Sequence, residues 1–435
     1  TYEDDHRNPE LTPLELPSDL TPGSDSAFAY IALHVDVGSK LFLTNKVDRS
    51  VSGLVAQQQC CGPLQLPLAD VAVVAQSYFG LTGVASAIGE QARKMLVNPE
   101  AGARMAVGEA LTNICWAGIY SLQNVSFSAN WMWAPKLPGE GAALYDAATG
   151  MCDALLETGT SIYGGKDSLS MATQVGNETV KSPRQLVMSA YAPVPDITKV
   201  VTPDIKRPGE SILVFVDLAP GKNRLGGSAL AHCHKQVGDE SPNMDFPELT
   251  KNACAAIIEL VKKDLILAGH DRSDGGLAFT LAEMAFGGNC GLTVNLEDNC
   301  TALEKLYSEE LGLVFECLPE NLDDIQILLK DYGVESVSRK IGKTSHEKRI
   351  TINYNNKAVI DDGTPFLRDL WHETCYYLEL EQCNRGCAKT ERRELITREY
   401  PRYELTFVPQ PVRIDSGSKG IPVAILREEG CNGEQ

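Results

Sequence analysis

Apolar positions recur along the chain with two periods. Between residues 29 and 37, Ile31, Leu33, Val35 and Val37 fall on alternate positions and predict a strand, which Lys40-Leu41-Phe42-Leu43 continues or pairs with. Leu68 to Val74 reads as a short apolar strand interrupted by Asp70. Over residues 100–122 the spacing becomes helical, with Met105, Ala106, Ala110, Ile114 and Ala117 on or near one face. Residues 127–133 look extended, 141–156 helical and 186–192 extended again. Pro193, Pro195, Pro203 and Pro208 then cluster and mark a domain boundary. A second block opens on the buried-type strand Ile212-Leu213-Val214-Phe215-Val216. Helices are predicted at about 227–235, 247–267, 275–287 and 322–332, with strands at 292–296, 313–317 and 350–354. A helix near 365–380 follows, then a polar stretch over 383–419 without a period. Ile421-Pro422-Val423-Ala424-Ile425-Leu426 reads as the first strand of a further α/β domain, cut off at once. The predicted class is mixed α+β and α/β. Its parts are a linker over 1–27, an α+β N-terminal subdomain over 28–205 and an α/β C-terminal subdomain over 206–350. A helix with polar linker over 351–419 and a domain start over 420–435 complete the division.

Charge narrows the partners. The 435 residues hold 39 Lys and Arg against 58 Asp and Glu, a formal charge of −19. Such a surface repels a phosphate backbone and argues against nucleic acid. A small anionic ligand would need local neutralisation by Mg²⁺, Lys, Arg or helix N-termini. No apolar run approaches the roughly 20 residues that span a bilayer. Thr1-Tyr2-Glu3-Asp4-Asp5 has neither a basic nor an apolar leader segment, and the absence of an initiator Met predicts a start inside a longer protein. The 13 cysteines form no regular framework. Cys115, Cys152, Cys254 and Cys317 sit in apolar contexts and read as reduced core thiols of a cytoplasmic protein. Cys383 and Cys387 form a C-x3-C pair with no second pair, and His232-Cys233-His234, read as strand, could not turn all three side chains to one ion.

Candidate chemistry is spread over several segments. Asp70 places a charge in an apolar strand, where it must be paired, bind a cation or cap a turn. Glu109 and Asn113 are four apart on a helix, so their oxygens share a face and suit Mg²⁺, or simply form a polar stripe. His270-Asp271-Arg272-Ser273-Asp274-Gly275-Gly276-Leu277 precedes a helix whose free N–H groups favour an anion while Asp271 could hold a metal. Ser273 or Asp274 could equally be a helix cap. Gly164-Gly165-Lys166-Asp167-Ser168 is not a Walker A loop, because Thr160 and Asp167 stand where Gly and Ser or Thr are required. It reads as a phosphate loop or a plain turn. Leu225-Gly226-Gly227-Ser228 admits the same two readings at another helix start.

Together these strings resemble the large, single-chain phosphoribosylformylglycinamidine synthases. The resemblance rests on Asp48-Arg49-Ser50-Val51 with Gly53-Leu54-Val55-Ala56, and on Gly62-Pro63-Leu64-Gln65 with Pro67-Leu68-Ala69-Asp70-Val71-Ala72-Val73. Further support comes from Glu109-Ala110-Leu111-Thr112-Asn113, Asn130-Trp131-Met132-Trp133 with Pro138-Gly139-Glu140-Gly141, and Gly165-Lys166-Asp167-Ser168-Leu169-Ser170-Met171. His270 to Leu277 and the terminal Val423 to Gly433 complete it. The resemblance implies a second AIR-synthase-like unit, with N- and C-terminal subdomains, followed by the start of a glutaminase domain. It implies a part in an ATP-dependent, glutamine-using ligase of purine biosynthesis, with no catalytic residue assigned to this piece. By position in the family pattern, Asp70, Glu109, Asn113 and Asp271 would be ligands of Mg²⁺ at an auxiliary ADP or ATP site. Ala69 and Ser273 would touch the nucleotide, and Lys40 its phosphates. The implied partners are the remaining domains of the same polypeptide and, for the isolated piece, a homodimer; neither nucleic acid nor membrane is among them. The rivals are a complete kinase-like member of the same superfamily and a module that has lost its nucleotide.

Overall fold

A computed structural model of the chain describes residues 11–44 and 53–399, together with 406–408 and 424. Asp48-Arg49-Ser50-Val51 and, apart from Ala424, the strand expected over 421–426 therefore lie outside the described residues, as does Cys431.

Two short helices, α1 (Ala27–Ala32) and α2 (Leu41–Thr44), come first. The strand expected over 29–37 is not formed. Ala27, Phe28, Ile31 and Ala32 are buried, a helical spacing, whereas Leu33 and Val35 are exposed. The alternation was real in the sequence, but packing selected the other period.

The first sheet draws on β1 (Val55–Gln57), β2 (Ala72–Ala75), β3 (Gly83–Glu90), β4 (Ser126–Met132), β5 (Ser161–Ser168) and, after the hairpin β6 (Ala172–Val175) and β7 (Glu178–Lys181), β8 (Gln185–Val194). Its order is β1-β2-β3-β8-β4-β5. Only β4 and β5 run parallel. One face is covered by α3 (Ala92–Val97), α4 (Pro99–Ile114) and α5 (Glu140–Thr158). Asn98 starts α4, accepting a hydrogen bond from Ala101 N at 3.0 Å, with Pro99 in the first turn. Helix α4 is buried on nearly all sides, since Met105, Ala106, Ala110, Leu111 and Ile114 are all sealed. Beside it the chain needs glycine at position 89, because a Cβ there would stand 2.0 Å from Ala106 O. Gly164 to Ser168 belongs to β5 and forms neither a phosphate loop nor a turn. Gly165 lies so close to β4 that a Cβ would meet Ala129 O at 2.1 Å.

The second sheet follows the proline-rich connection. Its members are β9 (Ile212–Asp217), β10 (Ala268–Asp271), β11 (Gly291–Leu296), β12 (Gly312–Cys317), β13 (Ser338–Ser345), β14 (Arg349–Tyr354) and β15 (Lys357–Gly363). They are ordered β10-β12-β9-β13-β11-β14-β15, with β11 and β14 parallel and the other neighbours antiparallel. Helices α6 (Ala229–Cys233), α7 (Pro247–Lys262), α8 (Gly276–Gly288), α9 (Ala302–Tyr307) and α10 (Leu322–Asp331) alternate with them. His232 and Cys233 thus lie on a helix, not a strand, and Ser228 caps it by accepting from Ala231 N. The expected helix near 365–380 is α11 (Thr364–Gln382).

Beyond it the stretch expected to be linker contains α12 (Arg385–Thr397). Its apolar content is thin, with Ala388 and Leu395 buried, so no hydrophobic period announces it. Polar contacts hold it instead. Asn384 caps its start, and Arg392 forms two 2.8 Å contacts with the Asp369 carboxylate on α11. All cysteines among the described residues are free, and Cys152, expected in the core, is exposed. No helix among the described residues is long and apolar enough to cross a membrane.

Candidate functional site

Three segments bring the acidic residues together. Strand β10, at the edge of the second sheet, carries His270 and Asp271. Helix α4 reaches this edge, and Thr112 Oγ stands 3.5 Å from Asp271 Oδ2. Asp70 precedes β2 rather than sitting inside a strand, in an irregular run that Ala69 N ties to Gln59 O at 3.1 Å. The side chains of Asp70, His270 and Asp271 are 5, 8 and 3 % exposed. Donor atoms of all three lie within 4.8 Å of one another.

His270 is the positive charge in this group. Its Nδ1 is 2.8 Å from Asp70 Oδ1 and its Nε2 is 3.0 Å from Glu283 Oε2. Burial opposes protonation of the ring, but the two carboxylates outweigh it and push the pKa well up. One imidazolium does not balance the acids. Burial raises the Asp70 pKa despite His270, and burial with the charge of Asp70 pushes Asp271 up to about 8. Glu109 is held well above the usual carboxylate range by burial, Asp271 and Asp274. Asp70 Oδ2 is buried and accepts no hydrogen bond among the described residues. Buried carboxylates that crowd one another and leave an oxygen unsatisfied fit a bound divalent cation, and their hard oxygens suit Mg²⁺.

A cavity of about 470 Å³ opens over this cluster. Ala69, Asp70, Asn113, Asp271 and Ser273 all line it, together with Ser86, Ile88, Ser189 and Tyr191 from the outer face of the first sheet. Asn113 Nδ2 donates to Ile88 O at 2.9 Å. Glu109 does not line the cavity; its Oε2 accepts from Glu90 N at 2.6 Å and from Gln91 Nε2 at 2.9 Å. Lys40 is also absent from the lining, and its Nζ donates to Gly38 O at 2.6 Å and Asp36 O at 3.0 Å.

The start of α8 differs from the sequence expectation. Neither Ser273 nor Asp274 caps it; Gly275, at φ 85°, holds that position without a side-chain bond. The Gly275 N–H is taken at 2.9 Å by Glu309 Oε1, which also accepts from Ala229 N at 2.8 Å. Lys94 Nζ pairs with the other Glu309 oxygen at 2.7 Å. A buried carboxylate of the protein thus occupies the anion position there. Sequence reasoning missed Glu283, His270 as the bridging cation, and Glu309. Glu283 was findable, since it is the sole charged residue of Gly276-Leu277-Ala278-Phe279-Thr280-Leu281-Ala282-Glu283-Met284-Ala285-Phe286. Glu309 gave no signal, because its partners are 34 and 80 residues away.

Two family models match the chain: the FGAR-AT PurM_N-like domain over residues 39–193, and the AIR synthase related protein, C-terminal domain, over residues 207–355. The chain is 47% identical over 425 residues to the probable phosphoribosylformylglycinamidine synthase, chloroplastic/mitochondrial, of Arabidopsis thaliana, covering 96% of itself and 30% of that protein. It is 46% identical over 432 residues to the phosphoribosylformylglycinamidine synthase of Homo sapiens, covering 98% of itself and 32% of that protein. The chain therefore spans about a third of the length of these curated relatives. Among solved structures, T. maritima PurL complexed with FGAR superposes with a TM-score of 0.58 at 17% identity, covering 78% of this chain and 52% of that one, a likeness of fold. With both AIR-synthase-like domains matched in order and this identity sustained across almost its whole length, the chain belongs to the phosphoribosylformylglycinamidine synthase family.

Proposed function

We propose that this chain is the auxiliary nucleotide-holding unit of a phosphoribosylformylglycinamidine synthase and binds Mg²⁺ with ADP or ATP over Asp70 and Asp271. The whole enzyme converts formylglycinamide ribonucleotide, glutamine and ATP to formylglycinamidine ribonucleotide, glutamate, ADP and phosphate. It does so in de novo purine synthesis, in the cytoplasm, with a first AIR-synthase-like unit and a glutaminase on the same polypeptide. The observation that carries this reading is the unsatisfied, buried Asp70 Oδ2 at the foot of a cavity lined by a second carboxylate and a carboxamide. Solved structures of T. maritima PurL complexed with ATP and with ADP share the fold and support a nucleotide.

In this reading Asp70, Glu109, Asn113 and Asp271 hold the metal, Ala69 and Ser273 lie against the nucleotide, and Lys40 meets phosphate on leaving its two carbonyl partners. When bound, Mg²⁺ neutralises phosphate and carboxylate charge together. The chain does the rest. His270, fixed by Glu283, orients Asp70 and favours its ionised form against the burial that raises its pKa. Gln91 and the Glu90 N–H orient Glu109, and Asn113 keeps its carbonyl oxygen available because its amide is spent on Ile88.

Calorimetric titration with Mg-ADP tests the assignment. Asp70→Asn and Asp271→Asn are expected to weaken binding more than tenfold, whereas Lys166→Ala, on exposed β5, leaves it unchanged. Equal affinity in wild type and both Asp variants would overturn it.

A further inference from the structure

Helix α11 carries a second polar cluster that the nucleotide site does not use. His372, Cys375 and Glu379 are three and four residues apart and so share one face. A ring nitrogen, Sγ and a carboxylate oxygen from the three lie within 4.8 Å of one another. The residues are only 3, 1 and 3 % exposed. His372 Nδ1 is buried with no hydrogen-bond partner among the described residues. His372 and Glu379 line a cavity of about 280 Å³, where Glu391 and Arg398 bring charges of opposite sign. Phe42 N donates to Cys375 Sγ at 3.1 Å.

We propose that His372, Cys375 and Glu379 form a site for a zinc-class divalent transition metal ion, with a water from the cavity as fourth ligand. The donor set decides the class of ion. A thiolate and an imidazole are the borderline-soft ligands that Zn²⁺ prefers and Mg²⁺ does not. Tetrahedral zinc, with bonds of about 2.0–2.3 Å, sets ligand atoms roughly 3.5 Å apart, so the three side chains need to close by at most about 1.3 Å. The His372 ring is ready for this. Burial, opposed by Asp369, disfavours the protonated ring, and its buried Nδ1 has no hydrogen-bond partner among the described residues. The Cys375 thiol gives its proton to solvent as the metal–sulfur bond forms, and the Phe42 N–H then faces a thiolate, the stronger acceptor. Glu379 can ligate while keeping another contact, because a carboxylate has about four acceptor positions. An occupied site would brace α11 against the Phe42 backbone.

The test uses the full 435-residue chain, stripped with chelator and titrated with Co²⁺ and then Zn²⁺. One equivalent of Co²⁺ is expected to bind with a thiolate-to-cobalt charge-transfer band, which Zn²⁺ abolishes and excess Mg²⁺ does not. Cys375→Ser should remove the band. His372→Gln, which leaves the thiol in place, should weaken Zn²⁺ more than tenfold in competition with a chromophoric chelator. A Cys383→Ser/Cys387→Ser double variant should keep both signals. The proposal is overturned by no charge-transfer band in wild type, by a band that survives Cys375→Ser, or by unchanged zinc affinity in His372→Gln.

Discussion

A carboxyl group buried beside a second carboxylate keeps its proton until a cation arrives, and Asp271 is in that position next to Asp70. Removing its charge should therefore affect folding and binding in opposite directions. Without nucleotide, Asp271→Asn is expected to melt at or above the wild-type temperature, because folding no longer has to protonate a buried acid. The same variant should gain little on adding Mg-ADP, and scanning calorimetry with and without ligand separates the two effects. His34 provides a test away from this cluster. Its Nε2 lies 2.8 Å from His232 Nδ1, and burial, then Arg93 and His232, lower its pKa to about 4. The unfolded ring takes up a proton near pH 6.5 while the folded ring stays neutral. That contribution is complete above pH 6.5 and is lost as the pH falls towards 4. His34→Gln should flatten the decline in melting temperature across this window, and parallel curves for the two proteins would contradict the assignment.

At the scale of elements, α4 and β3 shape the cavity, because Asn113 on the helix donates to Ile88 O on the strand and both line it. Gly89 allows that approach. Gly89→Ala should cost about 1–3 kcal/mol or more, by overpacking, and weaken Mg-ADP as well. Urea unfolding and calorimetry read the two losses. The same elements show what could be read from sequence. Helix α4 was legible because Met105, Ala106, Ala110 and Ile114 recur at helical spacing, although it ends at Ile114, short of the expected residue 122. Asp70, Asn113 and Asp271 were legible as separate pieces, Ala69 and Ser273 only through the family resemblance, and the fold lines one cavity with all five. Helix α1 was misread because six residues of mixed period fit two patterns until Phe28 and Phe279 stack, with ring centroids 4.5 Å apart. Helix α12 was missed because its docking depends on Arg392 and Asp369, 23 residues apart, and not on hydrophobic periodicity. The Glu309 contacts were illegible for the same reason, since they join segments that only tertiary packing brings together.

For the molecule as a whole, the outer face of the first sheet matters most. Val74, Val84, Ile88 and Tyr191 are exposed there, and the register sets Val74 against Val84. Such a face fits a second unit of the same fold. The isolated chain is expected to run as a dimer in light scattering at micromolar concentration, and to make no product from glutamine or ammonia in a complete assay. The cavity over Asp70 and Asp271 is expected to hold Mg²⁺ and a nucleotide. The most direct measurement is to denature the purified protein and quantify released nucleotide by anion-exchange chromatography, with magnesium determined in parallel. Near-stoichiometric ADP or ATP with magnesium is expected, both lost in Asp70→Asn. Protein that releases neither, and that Mg-ADP does not stabilise against heat, would contradict it.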